Sequence, residues 1–283
     1  MRRLLRWLAI ALGGLVALLL VALGIVYVLS ARILNKTYVI PRVELAVPSG
    51  PAAVAEGKRL ATIRGCDGCH GPNLEGELML DELLLARIAA PNLSRVVPSY
   101  SDAELERVIR HGVRKNGDNL VIMPSSVFAT LSDADLSAII AYLRTVPPVD
   151  REWPARRIGP MGRLGLVIGK FHTEPSLIDH TAPHAAAAPT GDRLAYGRYL
   201  AVTSCTECHG TDLKGGPPGG GPNGPSLAVV TAYSDSAFRT FFRTGNALGN
   251  RRLPIMSEMA ERRFSQFTAD ELGALLAYLR TLR

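Results

Sequence analysis

The pentapeptide Cys66-Asp67-Gly68-Cys69-His70 occurs a second time in the chain as Cys205-Thr206-Glu207-Cys208-His209. The two copies contain all four cysteines of the 283 residues. In each copy two residues separate the thiols, and a histidine follows the second thiol directly. A spacing that recurs in so cysteine-poor a chain predicts two sites of the same chemistry.

C-x-x-C-H is the attachment signature of a c-type haem. Its two thiols can form thioethers with the two vinyl groups of one porphyrin, and the imidazole can then bind the iron from below the ring. The sequence therefore predicts two covalently bound haem c groups. We expect the haems to be attached through Cys66, Cys69, Cys205 and Cys208. We expect His70 and His209 to be axial ligands to the iron.

Two other kinds of site use similar residues. A zinc site of cysteines and histidines needs four ligands, whereas each copy of the motif supplies three. A redox-active C-x-x-C pair would need a βαβ context, which the sequence does not indicate. Haem attachment is therefore the preferred interpretation of both copies.

The first 36 residues carry +5 of the formal net charge of +7 and contain no acid. The cations are Arg2, Arg3, Arg6, Arg32 and Lys36. Because little charge remains for the rest of the chain, the composition does not indicate a nucleic-acid-binding surface. Residues 7–31 are uncharged, and a helix over residues 8–29 would be about 33 Å long, which is enough to span a bilayer.

A cleaved secretory signal is the alternative interpretation of this segment. Such a signal has a shorter apolar region followed by small residues at a cleavage site, and Ser30-Ala31-Arg32 offers no good site. We therefore expect residues 1–36 to be a retained transmembrane anchor in a bacterial-type cytoplasmic membrane. The arginines before the apolar run place the N-terminus inside and the haem domains on the periplasmic side.

Three helices are expected in the first half of the exported chain. Residues 52–63 lead into the first motif, and Ser101 with Glu104 forms a capping box for a helix that Gly112 closes. Ser132 starts a further helix with an apolar face at 3.6-residue spacing, before the prolines at 147–148. No alternating strand pattern is evident in either half.

The same plan recurs after about 135–139 residues, which indicates a duplicated domain. Segments 196–201, 225–227, 233–235 and 277–281 correspond to segments 56–61, 91–93, 100–102 and 141–145, and the last pair is identical. The expected fold class is all-α. We expect the first domain over residues 37–147, a linker over 148–191 and the second domain over 192–283.

This order of helix, C-x-x-C-H, loop, helix, methionine loop and closing Ala-Tyr-Leu-Arg helix resembles the class I cytochrome c family. The resemblance covers residues 52–147 and 192–283. The tandem arrangement behind an apolar segment resembles dihaem, membrane-bound cytochromes c and the cytochrome subunits of periplasmic dehydrogenases. The resemblance implies that each iron has a methionine as its sixth ligand, from the loop before the closing helix.

Met123 in Val-Ile-Met-Pro is the candidate in the first domain. In the second domain Met256, in Leu-Pro-Ile-Met, is favoured, and Met259 is its rival because it lies nine residues before Thr268, as Met123 lies nine before Ser132. A thioether favours ferrous iron and fills the open coordination position. It therefore favours electron transfer over oxygen activation.

The remaining patterns are less specific. His111 is expected to be a solvated residue at a helix C-terminus. In the linker, the apolar residues 164–169 are too short to span a membrane. They are expected to pack across the two domains, with insertion into the membrane surface as the alternative. The glycine-rich residues 215–225 lack a phosphate-loop ending and are expected to wrap the edge of the second haem.

Two classes of function follow from these features. The first is a membrane-tethered electron carrier between a periplasmic donor, such as a dehydrogenase, and an acceptor, such as an oxidase or another cytochrome. It needs no catalytic acid or base, no soluble small-molecule substrate and no nucleic acid. The alternative is a dihaem enzyme, such as a peroxidase or a sulfur-compound dehydrogenase, with one open or labile haem site. A docking subunit that also carries electrons overlaps the first class.

Overall fold

The computed structural model describes residues 2–216 and 224–282. From the N-terminus to the linker it contains α1 (Arg2–Leu34), α2 (Pro51–Ile63), α3 (Cys66–His70), β1 (Glu77–Glu82), β2 (Ala86–Ala90), α4 (Leu93–Val96), α5 (Asp102–His111), α6 (Ser125–Phe128), α7 (Asp133–Leu143), β3 (Arg157–Ile158) and α8 (Pro160–Val167). It continues with α9 (Arg193–His209), α10 (Asp235–Thr244), β4 (Asn246–Ala247), β5 (Arg251–Arg252), α11 (Met256–Arg262) and α12 (Ala269–Leu279). The part of the chain described is thus mostly helical, as expected.

Two modules with the same core arrangement follow α1. In the first module α2 packs against α7, and in the second α9 packs against α12. Each pair crosses at a glycine. A Cβ built on Gly57 would lie 1.9 Å from the Ala138 carbonyl oxygen, and one on Gly197 would lie 2.0 Å from that of Ala274. Only glycine allows the two backbones to approach this closely.

The helix starts predicted from capping residues are confirmed. Ser101 forms a reciprocal capping box with Glu104 at the start of α5, and Thr268 forms the same box at the start of α12. Ser132 caps α7 by accepting a hydrogen bond from the N–H of Asp135. Gly112 follows α5 with φ of 67°, which is the left-handed helix end that favours glycine.

Both modules contain short strands, although neither half of the sequence shows an alternating strand pattern. Strands β1 and β2 form an antiparallel hairpin in the first module, and β3 adds two residues to its edge, whereas β4 and β5 of the second module have two residues each. The β1 sequence Glu-Leu-Met-Leu-Asp-Glu is mostly exposed and does not alternate between apolar and polar residues. Because the period-two signal comes from burial of one face, a strand that is exposed on both faces leaves no such pattern.

The linker does not pack across the two modules as expected. Instead, α8 packs against α1 and against the turn between β1 and β2. The Met161 N–H donates to the Leu84 carbonyl at 2.9 Å, and the Gly159 N–H donates to that of Leu85 at the same distance. The linker thus joins the hairpin to the end of the apolar helix.

Helix α1 is the one helix in the described part of the chain that is long and apolar enough to cross a membrane. Its most apolar window has a mean hydropathy of 2.8 and is not buried against the rest of the protein. At 33 residues the helix is about 50 Å long, so it exceeds the roughly 30 Å hydrocarbon core of a bilayer. Its length and composition are those of a membrane span or of a signal sequence.

We predict that Gly57→Ala and Gly197→Ala each destabilise their own module. The added methyl group would overlap a backbone carbonyl, which cannot move aside as a side chain can, so the expected loss is about 1–3 kcal/mol. Denaturant unfolding of the haem-loaded protein, followed by helical circular dichroism and haem absorbance, measures this loss. Gly191→Ala is the control, because nothing lies within 4 Å of its added Cβ. An unchanged midpoint for Gly57→Ala would contradict the close crossing of α2 and α7.

Candidate haem-binding sites

The first motif forms the short helix α3, which places the two thiols and the imidazole on about one helical turn. The ring nitrogen Nδ1 of His70 lies 2.9 Å from the Pro91 carbonyl oxygen, to which it donates. Burial lowers the pKa of His70, although the hydrogen bond to Pro91 opposes this shift. The imidazole is therefore neutral, with its proton on Nδ1, and Nε2 is left free to bind a metal.

The second motif has the same arrangement at the end of α9. Nδ1 of His209 lies 2.7 Å from the Pro225 carbonyl oxygen. Gly224 lies directly against the imidazole, since a Cβ at this position would be 2.7 Å from Nδ1. Both histidines thus present Nε2 for coordination. The sequence comparison paired Pro91 with Pro225 but did not predict the role of their carbonyl groups.

The loop after each histidine repeats in detail. Gly71 and Gly210 have φ of 79° and 85°, and Leu74 and Leu213 have φ of 58° and 60°. Both leucines are buried. Left-handed backbone is uncommon for leucine. Its recurrence at the same position in both loops indicates that the loop conformation is required at both sites. Residues 217–223 of the glycine-rich run, which were expected to wrap the edge of the second haem, lie outside the described residues.

All four cysteines lie in the described part of the chain, and none forms a disulfide. Burial, reinforced by the nearby Asp67 carboxylate, raises the pKa of Cys66 to about 12, and burial raises that of Cys205 to about 12. These thiols are therefore neutral, and both cysteines are half-buried. Two cysteines one helical turn apart, followed by a histidine with a free Nε2, match the donor set that a covalently attached haem requires.

Met123 lies in a loop and Met256 is the first residue of α11, but the two occupy equivalent positions in their modules. Asn119 forms an antiparallel β-bridge with Val113, and Met123 comes four residues after Asn119. Arg252 of β5 pairs with Asn246 of β4, and Met256 comes four residues after Arg252. Both lie eleven residues after the glycine that ends the preceding helix. The sulfur of Met259, in contrast, lies 3.9 Å from Nη1 of Arg263. Counted from the strand pairing, Met256 and not Met259 occupies the position of Met123.

The expectation that His111 is solvated is wrong. It is 1% exposed, and its Nδ1 lies 2.9 Å from Nδ1 of His180 in the linker. Its Nε2 lies 3.6 Å from the buried carboxylate of Glu106, and the ring of His184 packs nearby. The linker folds back over the end of α5, which the local sequence around His111 could not indicate. These histidines hold the linker on the first module.

The two modules meet through related surfaces. Arg59 of α2 donates two hydrogen bonds to the Glu271 carboxylate at the start of α12, at 2.8 and 2.9 Å. Tyr199, at the equivalent position of α9, donates to the Asp135 carboxylate at the start of α7 at 2.6 Å. Each first helix thus contacts the third residue of the closing helix in the other module. This is the reciprocal pattern of a two-fold interface.

This interface brings the two attachment motifs together. Arg64, two residues before Cys66, donates a hydrogen bond to Ser204, the residue before Cys205. Arg263 of the second module donates to the Ile63 carbonyl at 3.1 Å and lies 3.9 Å from the Glu207 carboxylate within the second motif. Ile63 itself is fully buried and belongs to the apolar core of the second module. The sequence did not indicate these contacts, because they join residues about 140–200 positions apart.

The model of the family described as cytochrome c matches residues 54–147 and again residues 194–283. The chain belongs to the cytochrome c family. Membership implies covalently bound haem c and electron transfer, and it agrees with the paired thiols and oriented imidazoles of both modules. The expected tandem of two cytochrome c domains is confirmed.

Several relatives are subunits of dehydrogenases. The chain is 27% identical to the alcohol dehydrogenase (quinone) cytochrome c subunit of Gluconacetobacter polyoxogenes, over 82% of this chain and 56% of that protein. It is 22% identical to the fructose dehydrogenase cytochrome subunit of Gluconobacter japonicus, over 81% and 52%. It is also 33% identical to cytochrome c4 of Azotobacter vinelandii, over 35% and 42%. The chain thus spans about half the length of the dehydrogenase subunits it matches.

We predict that Arg59→Leu weakens the interface by about 2–3 kcal/mol, because it leaves the buried Glu271 carboxylate without its charged partner. The control is Arg262→Leu, which breaks an exposed pair with Glu258 and should cost less than about 1 kcal/mol. Thermal unfolding and proteolysis of the linker measure the effect. Equal losses in the two variants would contradict a role for Arg59 in joining the modules.

The contact between Arg59 and Glu271 predicts that the stability of the protein depends on pH. Burial alone would raise the pKa of Glu271, but hydrogen bonds from Arg59, the Thr268 N–H and Tyr196 outweigh burial and lower it. A carboxylate whose pKa is lowered by folding stabilises the folded state at any pH above its ordinary pKa of 4.5. This contribution is lost as the pH falls through the pKa of the folded state. The difference in stability between wild type and Arg59→Leu should therefore shrink below about pH 4.

Proposed function

We propose that this protein is a membrane-anchored dihaem cytochrome c that takes electrons from a periplasmic dehydrogenase and passes them to a downstream oxidase or cytochrome. The observation that carries the proposal is the juxtaposition of the two attachment motifs across the interface, where Arg64 joins Ser204 and Arg263 joins both modules. Two adjacent redox centres on one chain provide a path for electrons. The names of the relatives support a dehydrogenase as the donor.

Haem, when bound, supplies one-electron exchange between ferric and ferrous iron. The residues of the chain hold and orient it. Cys66 with Cys69, and Cys205 with Cys208, would fix each porphyrin edge by thioethers. The carbonyl groups of Pro91 and Pro225 hold the imidazoles of His70 and His209 in the tautomer that leaves Nε2 for the iron.

Met123 and Met256 are proposed as the sixth ligands. The two methionines lie the same number of residues after the end of the preceding helix and after the strand pairing, and this equal spacing in the sequence supports the choice. The contact of the Met259 sulfur with Arg263 supports it as well, because that sulfur already faces a cation. A thioether on each iron raises the reduction potential relative to an imidazole and excludes exogenous ligands, both of which suit a carrier.

Helix α1 is proposed to anchor the protein, with the modules on the periplasmic side. Its 33 residues, its exposed apolar surface and the arginines at its start support a span whose N-terminus lies inside. The domain boundaries that we propose are residues 1–36 for the anchor, 37–147 and 192–283 for the haem domains, and 148–191 for the linker. The linker is then a structural part of the first domain's surface.

We predict that Met123→Leu and Met256→Leu each let carbon monoxide bind one of the two reduced haems and lower the potential of that haem. Leucine keeps the volume of methionine but cannot bind iron. Met259→Leu is the matched control and should leave both properties unchanged. Carbon monoxide difference spectra and spectroelectrochemical titration of the full-length holoprotein provide the measurements.

Rapid carbon monoxide binding by the unmutated protein would overturn the carrier proposal in favour of an enzyme with a labile site. An effect of Met259→Leu in place of Met256→Leu would reverse the ligand assignment and leave the carrier function intact. The two results are therefore distinguishable in one experiment.

We predict that the full-length protein resists extraction from membranes by alkaline carbonate. A variant in which residues 2–29 are replaced by a cleavable export signal should be released from membranes by the carbonate wash, because the remaining chain has no other membrane span among its described residues. Mass spectrometry of the full-length protein should show an intact N-terminus. A mature N-terminus after residue 29 in that protein would contradict a retained anchor.

A further inference from the structure

A group of large apolar side chains is exposed on one side of the first module. They lie at the turn between β1 and β2 and along α8, and their exposed fractions range from 42% to 71%. We call this group the platform; it consists of Leu83, Leu84, Met161, Leu164, Ile168 and Phe171. Contiguous exposed apolar surface of this kind marks a contact with a membrane or a partner.

The platform is built into the fold. Met161, Leu164 and Ile168 recur at helical spacing and therefore form one stripe. The other side of α8 is packed: Gly162, Gly165 and Leu166 are buried, and a Cβ on Gly162 would lie 2.3 Å from the Leu85 carbonyl oxygen. The exposed side of α8 therefore carries Met161 and Leu164, with Ile168 directly after the helix.

The platform is continuous with the end of the apolar helix. Nη1 of Arg163 lies 3.0 Å from the Ser30 hydroxyl, and its guanidinium lies 4.5 Å from the centre of the Tyr27 ring. Tyr27 and Ser30 stand at the end of the 22-residue stretch, 8–29, that would fill a bilayer core. Helix α8 therefore sits at the depth where tyrosine and arginine meet lipid headgroups.

The charge along the linker part of the platform suits an anionic surface, and Asp81, which precedes the hairpin part, is paired with Arg87. Residues 153–173 contain four cations and no acid. The cations are Arg156, Arg157, Arg163 and Lys170. In the described part of the second module, the exposed large apolar residues are Leu194, Val229 and Ile255, which come from separate elements. The apolar and basic surface is therefore a property of the first module and its linker.

We propose that the platform lies in the outer interface of the lipid bilayer and holds the first module against the membrane. The proposal rests on the membrane anchoring proposed above, since α1 sets the depth. Apolar side chains beside basic residues insert into the headgroup–acyl boundary and are favoured by anionic lipids. A single helix would leave the modules free to rotate above the membrane. A helix together with the platform fixes the first haem domain at the surface and leaves the second facing the periplasm.

Spin labelling tests this proposal, because all four native cysteines are bound to haem in the holoprotein and an added cysteine is the only free thiol. Leu84→Cys and Ile168→Cys place a label on the platform. Val229→Cys is the water-exposed control and Leu20→Cys the anchor control. Each full-length holoprotein is placed in nanodiscs of phosphatidylcholine with phosphatidylglycerol, after its haem spectrum has been matched to wild type. Electron paramagnetic resonance then measures the accessibility of each label to oxygen and to a water-soluble nickel chelate.

We expect the ratio of oxygen to nickel accessibility at positions 84 and 168 to exceed that at position 229 by about threefold or more, because oxygen concentrates in the acyl region. A ratio at 84 and 168 equal to that at 229, with a high ratio at position 20, would overturn the platform while the anchor stands. A low ratio at position 20 as well would overturn the anchor itself. Labels at 84 and 168 that neither reagent reaches would show that a protein surface covers the platform, and this would also overturn the proposal.

Discussion

The backbone contact between Gly57 and Ala138, repeated between Gly197 and Ala274, determines where each attachment motif lies. The first helix of a module must cross its closing helix without a side chain between them, and the motif either follows that first helix closely or forms its last residues. This crossing fixes the position of two thiols and an imidazole relative to the rest of a module with a small core. The carbonyl of Pro91 or Pro225 then fixes the imidazole tautomer.

Both modules have this helix crossing, but the helix around the attachment motif differs between them. In the second module α9 runs without interruption through the motif to His209, whereas in the first module Gly65 separates α2 from α3 with φ of 75°. A Cβ on Gly65 would lie 2.7 Å from the guanidinium carbon of Arg263. The break in the helix therefore makes room for the arginine that links the modules. The two duplicated sites are therefore similar, and Gly65 adapts the first of them to the interface between the modules.

The charged side chains near the two attachment motifs also differ between the modules. Arg64 and Arg263 both lie between the motifs, and Arg59 and Tyr199 occupy equivalent positions with different charge. Fixed cations favour the reduced state of a nearby centre over its oxidised state, because oxidation adds positive charge. The asymmetry of Arg59 and Tyr199 would give the two proposed haems different electrostatic surroundings within one repeated fold. Within residues 2–216 and 224–282, the hairpin of β1 and β2 and the linker helix α8 both lie on the first module.

The sequence by itself determined the chemistry and the class of fold. Cys66, Cys69 and His70, with their copies, predict haem attachment because the spacing of three donor groups is local, and the caps at Ser101 and Thr268 specify helix starts for the same reason. Tertiary structure alone decided the hairpin of β1 and β2, the burial of His111 under the linker and the packing of α8 on α1. It also sets Met256, and not Met259, at the register of Met123, since the strand pairing that defines this register joins separate segments. Each of these depends on contacts between distant residues, which no local pattern encodes.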